Sequence, residues 1–160
     1  MLYLLDANVL IAASRYYPLD LLPKYWEWLL RHAENNTIKV PLEIYEEIED
    51  KKQQDLLSDW IKQKDVKKVL QLKEEAEPDN LRMVRATYGE NLSEVELEKI
   101  GADVFFISYV LSNPNRLIVT NEVSKPSRTR ANRTIPDVCQ DLQIEWLNDI
   151  TLYRELKISF

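Results

Sequence analysis

Carboxylates are the groups most able to do chemistry in this 160-residue chain. Its single histidine, His32, and single cysteine, Cys139, cannot build a zinc finger, a zincin site or a two-histidine iron site. Its two glycines, Gly89 and Gly101, are too few for a dinucleotide fingerprint, a P-loop or a kinase glycine loop. Several acids, by contrast, stand at the ends of apolar segments. Asp6 directly follows the run MLYLL, and Glu122 follows LIV (117–119) with only Thr120 and Asn121 between. Asp103 heads the apolar stretch ADVFFISYVLS, and Glu43, Glu46 and Glu47 fall in the two turns after Pro41. Like charges brought together repel, and each acid then favours its protonated form. A divalent cation removes that conflict, and oxygen ligands without His or Cys point to Mg²⁺ or Mn²⁺. Such a pocket suits phosphodiester hydrolysis: one ion lowers the pKa of a bound water and a second stabilises the leaving oxygen.

The elements that must position these acids follow from hydrophobic spacing. Residues 1–5 read as a strand buried on both faces. Leu22, Tyr25, Trp26, Leu29, Leu30 and Ala33 recur at helical spacing over 21–33. TIKV (37–40) reads as a second strand, with Pro41 in the first turn of a helix through LEIYEEIEDKK. Residues 55–73 predict one or two Lys-rich helices, and 81–88 a short one with Gly89 at its end. Ser93 and Glu96 match a capping box, and 102–112 form a very apolar helix stopped by Asn113-Pro114. LIV is a third strand, 124–134 a polar loop, Ile135-Pro136-Asp137 the start of a short helix, and 144–147 a last strand. Strands alternating with helices predict a single α/β domain over 1–160, with a mainly parallel central sheet of about four to five strands flanked by helices. In such a sheet the functional crevice lies outside the carboxyl ends of the strands, where Asp6, Asp103, Glu122 and the Glu43–Glu47 group should all fall.

Composition narrows the partners. Lys and Arg total 21 against 27 Asp and Glu, a formal net charge of −6, which argues against a basic coat for non-specific nucleic-acid binding. It leaves open a nuclease whose metal site collects acids. No basic n-region precedes the first apolar run, and Val104–Leu111 is far short of the roughly 20 residues of a membrane span, so a cytoplasmic location is expected. Each residue also has a plainer reading. Asp6 can end a strand and cap a helix. Glu43, Glu46, Glu47, Glu49 and Asp50 can be a solvated acidic first turn, and Asp103 a helix N-terminal charge. His32 reads as a surface residue, Cys139 as a small buried apolar one, and the four Trp and most Tyr as core.

YLLDANVLI (3–11), VPLEIYEEI (40–48), GADVFFISYVL (101–111) and VTNE (119–122) together resemble the PIN domain, a metal-dependent nuclease fold, along nearly the whole chain. The ending IPDVCQDLQIEWLN (135–148) is similar to that of a PIN-like family of small prokaryotic proteins. The resemblance implies an endoribonuclease with a Mg²⁺ or Mn²⁺ pocket. Its acids are carried onto Asp6, Glu47, Asp103 and Glu122 as metal ligands and catalytic residues, with Asn8 and Thr120 in support. Glu43 and Glu46 are the alternatives to Glu47. The fourth acid departs from the common pattern, since Glu122 stands where Asp is usual. RNA is then the substrate, and an antitoxin protein and a second copy of the chain are candidate partners, because many members of the wider family are toxins. Lys125, Arg128, Arg130 and Arg133, in an acid-free loop just past Glu122, are the candidate RNA-phosphate contacts; the alternative is a solvated loop. Two other readings compete. A catalytically degraded PIN-like domain would only bind RNA or protein. An aspartyl-phosphate phosphatase also needs Asp after the first strand, but usually a second Asp where this chain has Asn8.

Overall fold

The computed structural model describes residues 1–50 and 55–160. Its centre is a five-stranded, wholly parallel sheet: β1 (Leu2–Leu5), β2 (Ile38–Pro41), β3 (Gln71–Leu72), β4 (Arg116–Val119) and β5 (Trp146–Leu147), in the order β3-β2-β1-β4-β5. Parallel strands need long crossovers, and helices supply them. β1 is followed by α1 (Ala7–Tyr16) and α2 (Pro23–Glu34), and β2 by α3 (Leu42–Glu49), α4 (Leu56–Ile61) and α5 (Lys64–Leu70). After β3 come α6 (Pro78–Tyr88), α7 (Glu94–Ile100) and α8 (Asp103–Leu111), and α9 (Ile135–Asp141) leads from the β4 side to β5, with α10 (Asp149–Glu155) last. The α/β class, the parallel sheet and the strand number agree with the expectation from sequence.

The central strands are apolar because both their faces are covered. Leu4, Leu5, Ile38, Val40, Ile118 and Val119 are fully buried. α8 is apolar all round for the same reason: six of its nine residues are buried among α3, α6, α9 and the sheet. α2 carries an aromatic cluster. Tyr25 stacks on Tyr17, its ring centroids 4.8 Å apart, and its hydroxyl bonds that of Tyr153 at 2.7 Å.

Local expectations fare unevenly. The capping box of Ser93 and Glu96 is present, each side chain bonding the other's backbone N–H at 3.1 Å. α3 ends at Glu49, and the expected continuation through Lys51 and Lys52 lies outside the described residues. Pro41 closes β2 with extended backbone instead of sitting in the first helical turn. β3 was not foreseen; two residues carry no period, and their pairing with Val40 and Pro41 makes them a strand. Trp146 is not a helical core residue: it lies on the edge strand β5 and is 38% exposed. His32 is half-buried, its ring 4.8 Å from that of Trp28, and burial with the neighbouring Arg31 lowers its pKa.

Candidate active site

The chain steps outward from β1 to β2 and β3, then returns to add β4 and β5 on the other side. Strand order therefore reverses between β1 and β4, and the carboxyl ends of those two strands frame the crevice where ligands bind in open α/β sheets. Asp6 and Thr120 are the next residues after the two strands, one on each side.

Asp6 is 7% exposed and tied on both oxygens. One oxygen accepts the Ala7 N–H at 2.7 Å, so Asp6 does cap α1. The other accepts the Thr120 hydroxyl at 2.8 Å and the Asn8 amide at 3.0 Å. Asn8 in turn accepts the Asn121 N–H at 3.0 Å, and the Thr120 oxygen accepts the Glu122 N–H at 3.2 Å. This network stitches the ends of β1 and β4 together and aims the chain at Glu122. Burial pushes the Asp6 carboxyl up to about 6; Glu47 adds to the rise, while the Thr120, Ala7 and Asn8 donors oppose it.

Asp103, in the first turn of α8, makes no side-chain hydrogen bond with the described residues, yet its carboxyl stands well above the usual range. Burial is the first cause, followed by the charges of Asp6, Glu122 and Glu47. Glu122 is raised by burial and by Asp6, and pulled back by Arg128, Lys125 and the Ile135 N–H, which it accepts at 3.2 Å. Glu47 stays accessible at the rim; packing around its carboxylate raises its pKa and the Ala102 N–H moderates it. Asp6, Glu47 and Glu122 thus lie close enough to Asp103 for their charges to raise its pKa, and Asp103 and Glu122 line one cavity. Among the described residues, no three His, Cys, Asp or Glu side chains form a group that could hold a metal ion as they stand.

The two alternatives to Glu47 do not reach this cluster. The Glu43 carboxylate takes the Tyr109 hydroxyl at 2.7 and 3.0 Å, and Glu46 is exposed and acts on Tyr109 as well. Cys139 is buried, and burial with Glu122 and Asp103 pushes its thiol up to about 12, so it is no nucleophile.

Gly101 sits directly before the Ala102–Asp103 corner with φ +59° and ψ −128°, a region that favours glycine. An added Cβ would lie 3.4 Å from the Glu98 carbonyl and 4.0 Å from the Glu47 carboxylate. Gly101→Ala is expected to cost about 1–3 kcal/mol through backbone strain, read as a lower midpoint in urea denaturation.

A cavity of about 670 Å³ opens over Asp103 and Glu122. Its wall is the basic loop, with Arg128 and Arg133, together with Lys99 and Tyr88. Asp137 anchors the loop. It accepts the Ser124 hydroxyl at 2.5 Å, the Lys125 N–H at 2.8 Å and the Thr134 hydroxyl at 2.7 Å. Burial would raise its pKa, but these donors and Arg133 outweigh burial and hold it below the usual range. In the sequence Asp137 stands out only as part of the helix start Ile135-Pro136-Asp137.

The four loop cations divide into two kinds. Arg130 holds Glu96 through two bonds of 2.7 and 2.9 Å. Arg133 bonds the Thr87 carbonyl at 2.6 Å and Asp141 at 2.7 Å. Lys125 and Arg128 make no ion pair or side-chain hydrogen bond with the described residues, are exposed, and face Glu122 closely enough to lower its pKa.

Residues 3–160 match the family model described as Domain of unknown function (DUF4411). The chain belongs to that family. No curated protein and no solved structure matches it. The match spans every acid gathered here and the whole sheet, so in this DUF4411 protein the acidic crevice and the fold that builds it lie within the family's extent. Among the described residues, no helix is long and apolar enough to cross a membrane.

Proposed function

We propose that this protein is a PIN-like, Mg²⁺- or Mn²⁺-dependent endoribonuclease acting through Asp6, Glu47, Asp103 and Glu122. The observation that carries the reading is Asp103: an acid without a hydrogen-bond donor, at the mouth of a cavity, surrounded by three other acids. The donor set fits a hard divalent cation, because every candidate ligand is a carboxylate oxygen. Asp6 and Asp103 would be the main ligands, with Glu47 and Glu122 completing the site. When bound, the cation would activate water and neutralise charge at the reacting phosphate.

The chain's own residues do the rest. Asn8 and Thr120 hold Asp6 in place. Glu122, fixed on one oxygen by the Ile135 N–H, has its other oxygen left to orient a water. Lys125 and Arg128 offset the acids as a polyanion approaches, and Arg130 and Arg133 shape the loop that carries them. Arg128→Glu is therefore expected to weaken RNA binding and to lower the slope of log K against log salt by roughly 0.7 per lost contact. Arg130→Glu should leave that slope unchanged and act through the broken Glu96 pair. Fluorescence anisotropy on a labelled single strand across 50–200 mM salt, the range over which about 10³–10⁵ in affinity is lost for many-contact proteins, separates the two.

The deciding experiment is cleavage of a labelled mixed-sequence RNA with Mn²⁺, Mg²⁺ or EDTA, for wild type and Asp6→Asn. Metal-dependent cleavage lost in Asp6→Asn supports the nuclease. The toxin reading, drawn from the family resemblance, adds that expression arrests growth and that Asp6→Asn relieves it. A second reading is favoured by one observation: among the described residues, no three His, Cys, Asp or Glu side chains stand ready to ligate one ion. A degraded domain that binds RNA or protein would show no cleavage and no Mn²⁺ binding.

A further inference from the structure

Tyr88 is the last residue of α6 and is 3% exposed. Its hydroxyl is buried and has no hydrogen-bond partner among the described residues. A phenolic O–H seldom stays unpaired inside a protein, because leaving it so forfeits its bonds to water. Tyr88 lines the same cavity as Asp103 and Glu122. Those two carboxylates, Asp103 the more strongly, act electrostatically on the phenol, as do Cys139 and Arg133. Asp103 thus lacks a donor where Tyr88 lacks an acceptor.

The neighbourhood of Tyr88 is held from several directions. Arg133 bonds the carbonyl of Thr87, one residue before it. Gly89, one residue after it, lets Arg130 come close: an added Cβ there would lie 3.2 Å from the Arg130 guanidinium. Arg130 also reaches the Asn91 carbonyl at 3.4 Å and Glu96. Arg133 thus ties the last turn of α6 to the basic loop, and Arg130 holds the segment just beyond it.

We propose that Tyr88 is a positioning residue whose hydroxyl donates to the Asp103 carboxylate once Asp103 turns to hold a divalent cation. The inference rests on the nuclease-site reading above. Acids that ligate a cation are themselves hydrogen-bonded by outer partners, and losing such a partner typically costs 10–100-fold in metal affinity or activity. Asp6 already has its outer donors in Thr120 and Asn8. Tyr88 is the corresponding donor for Asp103.

The test is Tyr88→Phe, which removes one oxygen and keeps the ring. Mn²⁺ is titrated into wild type, Tyr88→Phe, Asp103→Asn and the double variant, with affinity read by calorimetry. The melting temperature in EDTA is read alongside. Tyr88→Phe should bind Mn²⁺ roughly 10–100-fold more weakly, with an unchanged or raised melting temperature, since the hydroxyl has no partner to lose in the cation-free protein. In the Asp103→Asn background the same substitution should cost nothing further. Equal Mn²⁺ affinity for wild type and Tyr88→Phe overturns the role of Tyr88 and leaves the metal site standing. A fall in melting temperature in EDTA overturns it too, because the hydroxyl would then have a partner without the cation. A wild type that binds no Mn²⁺ overturns the site reading and this inference with it.

Discussion

On the proposed nuclease reading, Asp103→Asn is expected to cut metal-dependent RNA cleavage by roughly 10²–10³-fold and, in EDTA, to raise the melting temperature of the protein. Both effects have one cause. The carboxylate of Asp103 is half-buried near three acids, has no hydrogen-bond donor among the described residues, and stands well above its ordinary pKa. Its charge is therefore a cost to the fold at neutral pH. An isosteric amide removes that charge, so the cation-free variant is expected to melt higher than wild type. On the proposed reading the same substitution removes a main metal ligand. A bound cation contributes several kcal/mol of transition-state stabilisation, so a loss of roughly 10²–10³-fold in cleavage rate follows. Differential scanning fluorimetry in EDTA and a cleavage assay in Mn²⁺ read the two effects separately. A variant that is both inactive and destabilised would mean that Asp103 supports the fold and is not a strained ligand.

The acids could be read from the sequence because the sheet's logic is local. An apolar strand followed at once by Asp6, and an apolar helix headed by Asp103, both mark the carboxyl edge before any contact is known. Choosing among Glu43, Glu46 and Glu47 was not possible from spacing alone, because all three share two helical turns. The choice depends on Tyr109, sixty-six residues from Glu43, whose hydroxyl draws that carboxylate away. The four loop cations looked alike for a similar reason. Their division needs Glu96 and Asp141, acids outside the loop that take Arg130 and Arg133. Tyr88 was hidden most completely. It closes the helical run LRMVRATY and has the apolar spacing of a core residue. Nothing in a one-dimensional pattern tells a satisfied phenol from an unsatisfied one. β3 is two residues long and shows too little alternation to be read, so its strand character comes from its pairing with β2; β5, within the strand expected over 144–147, pairs with β4.

The dependence of stability on pH should reverse when Mn²⁺ is added. In EDTA the acid pocket favours protons: Asp6 is pushed up to about 6, Asp103 well above its ordinary value, and Glu47 and Glu122 upward as well. A carboxyl raised in the folded state binds protons more tightly there than when unfolded. Its contribution is fully present below the unfolded pKa of about 4 and is lost as pH rises through the folded value. For Asp6 alone the rise from 3.8 to about 6 corresponds to roughly 3 kcal/mol at most. Other acids, such as Glu96, are lowered and act in the opposite sense, so the pocket's share is read as wild type minus Asp103→Asn. On the proposed reading Mn²⁺ would invert the pocket's share, because it would bind the ionised acids and have to displace their protons. At a hundredfold excess over its dissociation constant it adds about 2.7 kcal/mol, or roughly 5–10 °C for a chain of this size. That shift should be largest at pH 7.5, where the pocket is most ionised and least stable alone. It should shrink at pH 5, below the folded pKa of Asp6, and vanish in Asp103→Asn. An equal Mn²⁺ shift at both pH values would mean that the ion binds elsewhere on this acidic surface. The crevice between β1 and β4 would then be a carboxyl-lined cleft held by protons and not a metal site.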